Sequence, residues 1–353
     1  MRRLWKFYYL SYGIMQTQER NNLIDLLRFI AAIFVAVFHF YAIPNDKVDN
    51  WYKTAISYGH IGVPIFFIIS GYCILIALKH SKTPTKFITR RFFRIFPPYW
   101  CNLLLTALII LFFKLVDGVN SLAVIPKSPM DILATLALLT KPITNVENMN
   151  WVYWTLPYEV FFYIVVYLCS YFKGYWFTTA LILVNILTCL LPISYQGFLS
   201  YCRFWPFFCL GASVIKILHG SKDEKLPDTI LMISSMVGFY LVHESILYCT
   251  VSAIIILLII HNHFKPLKQN GLSKLGDLSY SIYLIHVPIG VYCFGRFREY
   301  LPMQFIGLSN FAFDLLLIMF IIYLSRLLYR YIEIPFIHIG KIMVNRTALL
   351  KQD

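Results

Sequence analysis

Long apolar runs separated by short polar connections dominate the chain. A run of about 20 apolar residues can cross a bilayer as a helix, and an open strand in lipid would leave its backbone unpaired. The pattern therefore predicts an all-α polytopic membrane protein with about ten transmembrane helices. The predicted spans are residues 23–43, 58–78, 97–116, 151–172, 174–193, 198–218, 227–243, 245–261, 277–295 and 305–325.

The composition supports this class and excludes an ordinary soluble domain. Hydrophobic residues make up 59% of the chain and charged residues only 14%, whereas soluble domains carry about 25% charged residues. The eight cysteines include no CxxC pair and no His/Cys series with metal-ligand spacing. The sequence therefore predicts neither a disulfide framework nor a metal site.

The basic residues are distributed as a topology signal. The formal net charge is +14, which by itself would suggest a nucleic-acid partner. With the N-terminus in the cytoplasm, however, 22 of the 31 Lys and Arg residues fall on the inner side. This asymmetry predicts an N-in and C-in protein that binds membrane lipids and no nucleic acid. The predicted parts are a cytoplasmic segment 1–22, a transmembrane domain 23–336 and a cytoplasmic tail 337–353.

Two ionisable residues interrupt the first span. Arg28 and His39 are eleven residues apart, which is about three helical turns, so both project from one face about 16 Å apart along the axis. Charged groups within spans are costly and mark functional sites by default. The alternative is that Arg28 reaches the interface and His39 forms a structural bridge between helices.

A basic cluster precedes the third span. Arg91 and Arg94 are i, i+3 neighbours in FITRRFFRIFPPYW, residues 87–100, and could grip an anionic ligand together. The alternative is a topology signal in contact with anionic lipid head groups.

Glu159 lies within the fourth span and needs a basic or hydrogen-bonding partner. His39 is predicted to lie in the same outer half, so a Glu159–His39 pair could orient a general base. A structural ion pair is the alternative. Trp154, Tyr158 and His286 are candidates for contacts with an acceptor substrate, although a core hydrogen bond would equally account for His286. No partner is evident for Asp314.

Six motifs in chain order resemble the membrane acyltransferase-3 family from Asp25 to about Phe336. The matching positions are Arg28 and His39; Phe66, Phe67, Ser70 and Gly71 (FFxxSG); Arg91 and Arg94 (RxxR); Trp154, Glu159, Phe162 and Tyr163; Ser279, Tyr280, Tyr283, Leu284 and His286 (SYxxYLxH); and Tyr329 to Phe336 (YRxIExPF). One departure is TLPYE, where many members have SLSxE, and it removes a supporting hydroxyl.

The resemblance implies acyl transfer from cytoplasmic acyl-CoA, usually acetyl-CoA, to a sugar hydroxyl of a bacterial cell-surface polysaccharide. In this interpretation Arg91 and Arg94 hold the CoA phosphates and Arg28 positions the donor. His39, oriented by Glu159, acts as a general base, with an acyl-histidine intermediate as the competing mechanism. The implied setting is the bacterial inner membrane, with a lipid-linked or growing O-antigen, capsule or exopolysaccharide acceptor. The protein would act alone or with a separate polysaccharide-assembly partner.

Two other classes of function stay open at this level. A transporter or flippase would use the arginines as an anion path and His39 as a proton relay, although the sequence shows no internal repeat to support it. A catalytically silent scaffold in a polysaccharide assembly complex would not need His39 at all.

Overall fold

In the computed structural model, the regular secondary structure of the described residues is entirely helical, and these residues contain no strand. The predicted segment 1–22 lies almost wholly outside these residues, as does the end of the predicted tail. The structure describes residues 21–40, 51–117, 124–191, 196–243, 245–301 and 306–349.

The α-helices follow one another with short 3₁₀ segments between several of them. They are α1 (Asn22–Phe40), α2 (Trp51–Ser57), α3 (Gly62–Ser81), α4 (Pro84–Asp117), α5 (Pro129–Leu136), α6 (Thr155–Cys169), α7 (Tyr175–Leu190), α8 (Trp205–His219), α9 (Lys225–His243), α10 (Ile246–Phe264), α11 (Gly271–Leu275), α12 (Ser279–Ile285), α13 (Ile306–Leu328) and α14 (Ile334–Leu349). Two π-helical segments, His286–Cys293 and Tyr329–Glu333, follow α12 and α13.

The helices agree with a multi-pass membrane protein. In the described ranges, six helical stretches are long and apolar enough to cross a membrane: Asn22–Phe40, Trp51–Ser81, Pro84–Val116, Trp151–Cys169, Ile246–Phe264 and Gly307–Asn345. The shorter α7 and α8 are also apolar, and each of the ten predicted spans overlaps a helix. The helical membrane class is therefore confirmed, whereas the number of ten crossings and the N-in, C-in orientation stay predictions.

Helices α3 and α8 cross where each presents a glycine to the backbone of the other. Gly71 lies against the carbonyl group of Phe208, and Gly211 lies against that of Ile68. A Cβ atom at either glycine would overlap the facing backbone, so this close approach requires glycine. The crossing also holds Ser70, the neighbour of Gly71, toward α6, where it donates a hydrogen bond to Glu159.

Helix α1 lies against the segment that runs from α11 to the first π-helical turn. Gly276 leaves room for the backbone of Asp25, and Gly290 leaves room for the ring of Phe40. These two contacts lie near the two ends of α1. They fix the height and rotation of the helix that carries the predicted Arg and His pair.

Helix α4 begins well before the predicted third span and runs unbroken through Pro97 and Pro98. Pro84 opens the helix, a position at which the missing N–H group costs nothing. Arg91 and Arg94 therefore lie on the helix itself. Neighbouring helices can compensate for backbone groups freed by a proline within a membrane helix, which explains why the two internal prolines do not end it.

The predicted tail 337–353 is helical as far as Leu349 and packs along α4, where Gly340 lies against the ring of Phe93. The sequence predicted no element here because the stretch is short and mixed in polarity. Its cytoplasmic location stays a prediction.

Asp314, for which the sequence suggested no partner, is buried in an ion pair. Its carboxylate binds the guanidinium of Arg298 and accepts a hydrogen bond of 2.7 Å from the hydroxyl of Tyr52. Arg298 also donates to Asn310 over 2.6 Å. The cluster ties the 3₁₀ segment Gly295–Tyr300 to α2 and α13, and it lies apart from the cavity described below.

Candidate active site

A cavity of about 240 Å³ opens between α1, α3, α4, α6 and α12. We call it the arginine cavity. Its apolar wall comes from residues such as Phe66 and Ile74. The side chains with polar or sulfur atoms that line it are those of Arg28, Ser70, Cys73, Arg91, Arg94, Thr155, Glu159, Tyr163, Ser279, Tyr280 and Tyr283.

Three guanidinium groups line the arginine cavity, and Glu159 is the one carboxylate among its lining residues. The Nε atom of Arg91 is buried without a hydrogen-bond partner in the described part of the protein. Arg94 is attracted electrostatically by both Glu159 and Glu333. The structure thus brings together all three predicted donor-binding residues, Arg28 included, with an excess of positive charge that suits an anionic ligand.

The carboxylate of Glu159 is bound within this cavity and does not contact His39. It accepts a hydrogen bond of 3.0 Å from the Ser70 hydroxyl and another from the Tyr163 hydroxyl. The predicted Glu159–His39 pair is therefore not present. The prediction failed because depth along a span does not determine which neighbouring helix a side chain faces, and Glu159 faces α3 and α4.

His39 is paired with His286 instead. The Nδ1 atom of His39 lies 3.4 Å from the Nε2 atom of His286, and the ring centroids are 5.3 Å apart. His286 is fully buried at the start of the π-helical segment. For His286 the sequence left open a contact with an acceptor substrate or a core hydrogen bond, and the structure places it behind His39 with its Nδ1 atom against the carbonyl group of Ile282.

Backbone carbonyl groups define which nitrogen of each ring carries hydrogen. The Nδ1 atom of His39 lies 2.7 Å from the carbonyl oxygen of Val35, and that of His286 lies 3.1 Å from that of Ile282. Because a carbonyl oxygen only accepts, both Nδ1 atoms are donors. The Nε2 atom of His286 is then an acceptor facing the Nδ1–H group of His39, and the Nε2 atom of His39 is left as an unprotonated base.

Tyr283 stands between the arginine cavity and the histidine pair. Its ring lines the cavity and lies 5.7 Å from the ring of His286, measured between centroids. Its hydroxyl donates to the carbonyl oxygen of Val152 over 2.6 Å and shares a short hydrogen bond with Thr155. His39 is not among the residues that line the cavity, so Tyr283 marks the boundary between them.

Trp154 and Tyr158, predicted to contact the acceptor, do not line the arginine cavity. The two rings contact each other and also Phe204, and Tyr158 is buried against Tyr201. Phe67, which does line the cavity, packs on Tyr158. In the structure these two residues support the cavity wall from behind.

Sequence reasoning missed the supporting roles of Ser70, Tyr163 and Tyr283. All three were present in the matched motifs, but their spacing alone did not show that two of them would bind Glu159. The hydroxyls of Ser70 and Tyr163 also replace the supporting hydroxyl that the TLPYE departure removes. They give Glu159 hydrogen-bond donors from α3 and from its own helix. Among the described residues there is no cluster of three or more His, Cys, Asp or Glu side chains that could hold a metal ion.

The fold and the cavity define a multi-pass helical membrane protein with a buried cationic site beside a histidine pair. A family model described as an acyltransferase domain matches residues 21–330, so the chain belongs to the acyltransferase-3 family and is a membrane acyltransferase. The family resemblance seen in the sequence is thereby confirmed. No curated protein and no solved structure gives a significant match to the chain.

Proposed function

We propose that this protein is an acyl-CoA-dependent O-acyltransferase that moves an acetyl group from acetyl-CoA to a sugar hydroxyl of a bacterial cell-surface polysaccharide. The observation that carries the proposal is the state of His39. Its Nδ1–H group is held by Val35 and faces His286, which leaves Nε2 free to take a proton. Arg28 lies on the same face of the same helix, within the cavity that would hold the donor.

The donor occupies the arginine cavity with its anionic part toward the arginines. Arg91 and Arg94 lie one turn apart on α4 and can hold phosphate oxygens together. Arg28, on α1, also lines the cavity and would neutralise further negative charge. The thioester then extends past Tyr283 toward His39, a helical distance of about 16 Å from Arg28.

The transfer step forms one ester bond and breaks one thioester bond. The sugar hydroxyl oxygen attacks the thioester carbonyl carbon while Nε2 of His39 accepts the hydroxyl proton. The tetrahedral intermediate then collapses and expels the coenzyme A thiolate, which takes the proton back from Nε2. The products are an O-acetylated sugar and free coenzyme A, and His39 is returned to its starting state.

The histidine pair favours this general-base route. When Nε2 of His39 gains a proton, the ring becomes an imidazolium with a positive charge that needs stabilisation in a low-dielectric environment. The carbonyl group of Val35 and the Nε2 lone pair of His286 both face its Nδ1–H group and supply that stabilisation. An acyl group on Nε2 of His39 would be the signature of the competing covalent route.

The acceptor that we propose is a lipid-linked or growing chain of O-antigen, capsule or exopolysaccharide at the bacterial inner membrane. The support is the predicted N-in topology, which places His39 toward the outer face, opposite to a cytoplasmic donor. A separate polysaccharide-assembly partner could present the acceptor there.

The test is NMR of the surface polysaccharide from a host strain that lacks this chain and is complemented with wild type, His39→Ala or His261→Ala. The last variant removes an exposed histidine of α10 and serves as the matched control. We expect O-acetyl signals with wild type and the control but not with His39→Ala at equal expression. Equal signals from all three strains would remove His39 from the chemistry and favour the scaffold or transporter alternative.

A further inference from the structure

A second cavity lies at the ends of α3, α6 and α8 that face away from His39. It has a volume of about 310 Å³ and is more open than the arginine cavity. Three lysines line it, Lys79, Lys82 and Lys216, together with one carboxylate, that of Glu224. We call it the lysine pocket.

Two of these lysines have no counter-ion among the residues that the structure describes. Lys216 binds Glu224 over 2.5 Å and lies 3.6 Å from Asp228, so its charge is compensated. Lys79 and Lys82 form no ion pair within the ranges that the structure describes. The lysine pocket therefore offers two uncompensated positive charges, which an anionic ligand would neutralise.

The backbone at Lys82 has a conformation that is unusual for its residue type. Its φ angle is +61°, in the left-handed region that side chains with a Cβ atom rarely adopt. This residue forms the tight connection between α3 and α4, and the turn brings its side chain into the lining of the pocket. Local strain of this kind is maintained where the surrounding structure requires it, often at a binding site.

Aromatic rings complete the pocket. Phe172 and Phe177 line it, and the Nζ atom of Lys216 lies 6.0 Å from the centre of the Phe177 ring. Phe172 is 57% exposed, so its face is open to a flat ligand. Lysines that bind phosphate beside rings that stack on a base are the combination that recognises a nucleotide.

The lysine pocket lies directly below the arginine cavity along the same helices. On α3, Ile74 lines the arginine cavity and Leu78 lines the lysine pocket, one turn or about 6 Å further along the axis. Along α6 the corresponding residues are Tyr163 and Ser170, the residue that follows the helix, about 10 Å apart. One elongated ligand can therefore reach both sites.

We infer that the lysine pocket binds the 3′-phosphorylated nucleoside end of the acyl donor, while its diphosphate lies at the arginines of the arginine cavity and its thioester extends past Tyr283 toward His39. This inference rests on the proposed function, because it assumes a donor of the coenzyme A class. An acyl donor of this kind carries a phosphorylated nucleoside at one end, a diphosphate next to it and the thioester at the other end. Two separate cationic sites along one path match that distribution of charge.

The binding test uses adenosine 3′,5′-bisphosphate, a fragment without an acyl group, and the full chain in nanodiscs of phosphatidylcholine alone. We expect the double variant Lys79→Ala/Lys82→Ala to weaken binding of this fragment about tenfold. The matched control is Lys222→Ala/Lys225→Ala, which removes two exposed lysines that do not line the pocket. The control should bind like wild type.

The kinetic test compares acetyl-CoA with acetyl-pantetheine, which lacks the nucleotide. In the Lys79→Ala/Lys82→Ala variant we expect KM for acetyl-CoA to rise about tenfold, with kcat and the KM for acetyl-pantetheine unchanged. An equal change for both donors, or for neither, would overturn the inference.

Two further outcomes are informative. One distinguishes a lipid head group from a nucleotide as the source of the phosphate, and the other distinguishes failure of the proposed function from failure of this inference. If the fragment does not bind and the lysine variants instead lose affinity for phosphatidylglycerol, the pocket is a lipid head-group site and the inference is wrong. If wild type binds the fragment but transfers no acetyl group from either donor, the proposed function is wrong and the nucleotide site is supported.

Discussion

The Nε2 atom of His286 lies 3.4 Å behind the Nδ1 atom of His39, on the side opposite to the free Nε2 atom of His39. A histidine and the carbonyl group of Val35 thus occupy the place that a carboxylate takes behind many general bases. Because neither partner carries a negative charge, the pair can lie in an apolar environment without a counter-ion. In the proposed reaction, its contribution is to fix the ring and to stabilise the proton that the ring would accept.

Removing His286, the partner of His39, should therefore slow turnover without preventing substrate binding. We expect His286→Ala to lower kcat about 10- to 100-fold, a part of the 10²–10⁴ that a general base typically supplies. His286→Gln should retain more activity, because its amide oxygen can still accept from the Nδ1–H group of His39. Initial-rate kinetics with both substrates measure this. A rise in KM for the acceptor with kcat unchanged would instead support the substrate contact that the sequence predicted.

Replacing Glu159 should affect the arginine cavity and should not affect His39, the proposed general base. Glu159→Gln keeps an oxygen that accepts from Ser70 and Tyr163, so we expect the pH dependence of kcat to match wild type. Glu159→Ala leaves both hydroxyls without an acceptor, and each such loss typically costs about 1–3 kcal/mol. Thermal unfolding in detergent should show the alanine variant to be the less stable of the two. A shifted pH profile in Glu159→Gln would mean that Glu159 does reach His39.

Arg91 should contribute mainly to donor binding. We expect Arg91→Ala to raise KM for acetyl-CoA at least tenfold, since a hydrogen bond to a charged group is worth about 1.5–3 kcal/mol. Arg90→Ala is the matched control, because Arg90 is adjacent on α4 but does not line the cavity. Donor titrations of both variants provide the comparison. If the two variants have the same KM for acetyl-CoA, Arg91 sets the membrane topology or contacts lipid and does not bind the donor.

The crossing of α3 and α8 should tolerate no side chain at its glycines. We expect Gly71→Ala to destabilise the protein by about 1–3 kcal/mol, the usual cost of overpacking, because its Cβ atom would overlap the carbonyl group of Phe208. Gly271→Ala is the control, since nothing lies within 4 Å of a Cβ atom there. Melting temperatures in the same detergent should separate the two, and equal values would contradict the crossing geometry.

The buried ion pair of Arg298 and Asp314 should be sensitive to the loss of either partner. We expect Asp314→Ala to cost about 3–5 kcal/mol, because it leaves a guanidinium group buried without its counter-ion. The double variant Arg298→Met/Asp314→Ala should recover part of this loss. Thermal unfolding of the single and double variants gives the comparison. If the double variant loses more stability than the two single variants lose together, the ion pair is not the source of the effect.

Much of the fold could be predicted because apolar length and the distribution of charge are local properties of a sequence. The spacing of Arg28 and His39 also predicted correctly that one continuous helix carries both, since α1 extends over 19 residues without a break. The same local reasoning predicted an arginine pair on α4, although it placed the start of that helix too late. The predicted third span began at Pro97, the first of two consecutive prolines, whereas the helix runs through both.

The partners of individual side chains could not be predicted in the same way. Glu159 and His39 were matched by depth, but depth leaves open which of several neighbouring helices lies closest. The packing of Gly276 and Gly290 against α1 selects His286 as the neighbour of His39. Likewise, the partner of Asp314 lies on a short 3₁₀ segment that no periodicity identified.

In the proposed reaction, Tyr283, whose hydroxyl is held by Val152 and Thr155, separates the donor in the arginine cavity from His39, so only the acyl group passes it. Water that reaches His39 from the other side then meets a thioester only while the acyl group is in passage. In the proposed reaction, the cell could therefore keep this enzyme in constant contact with its donor supply and lose little of it to hydrolysis while acceptor is scarce.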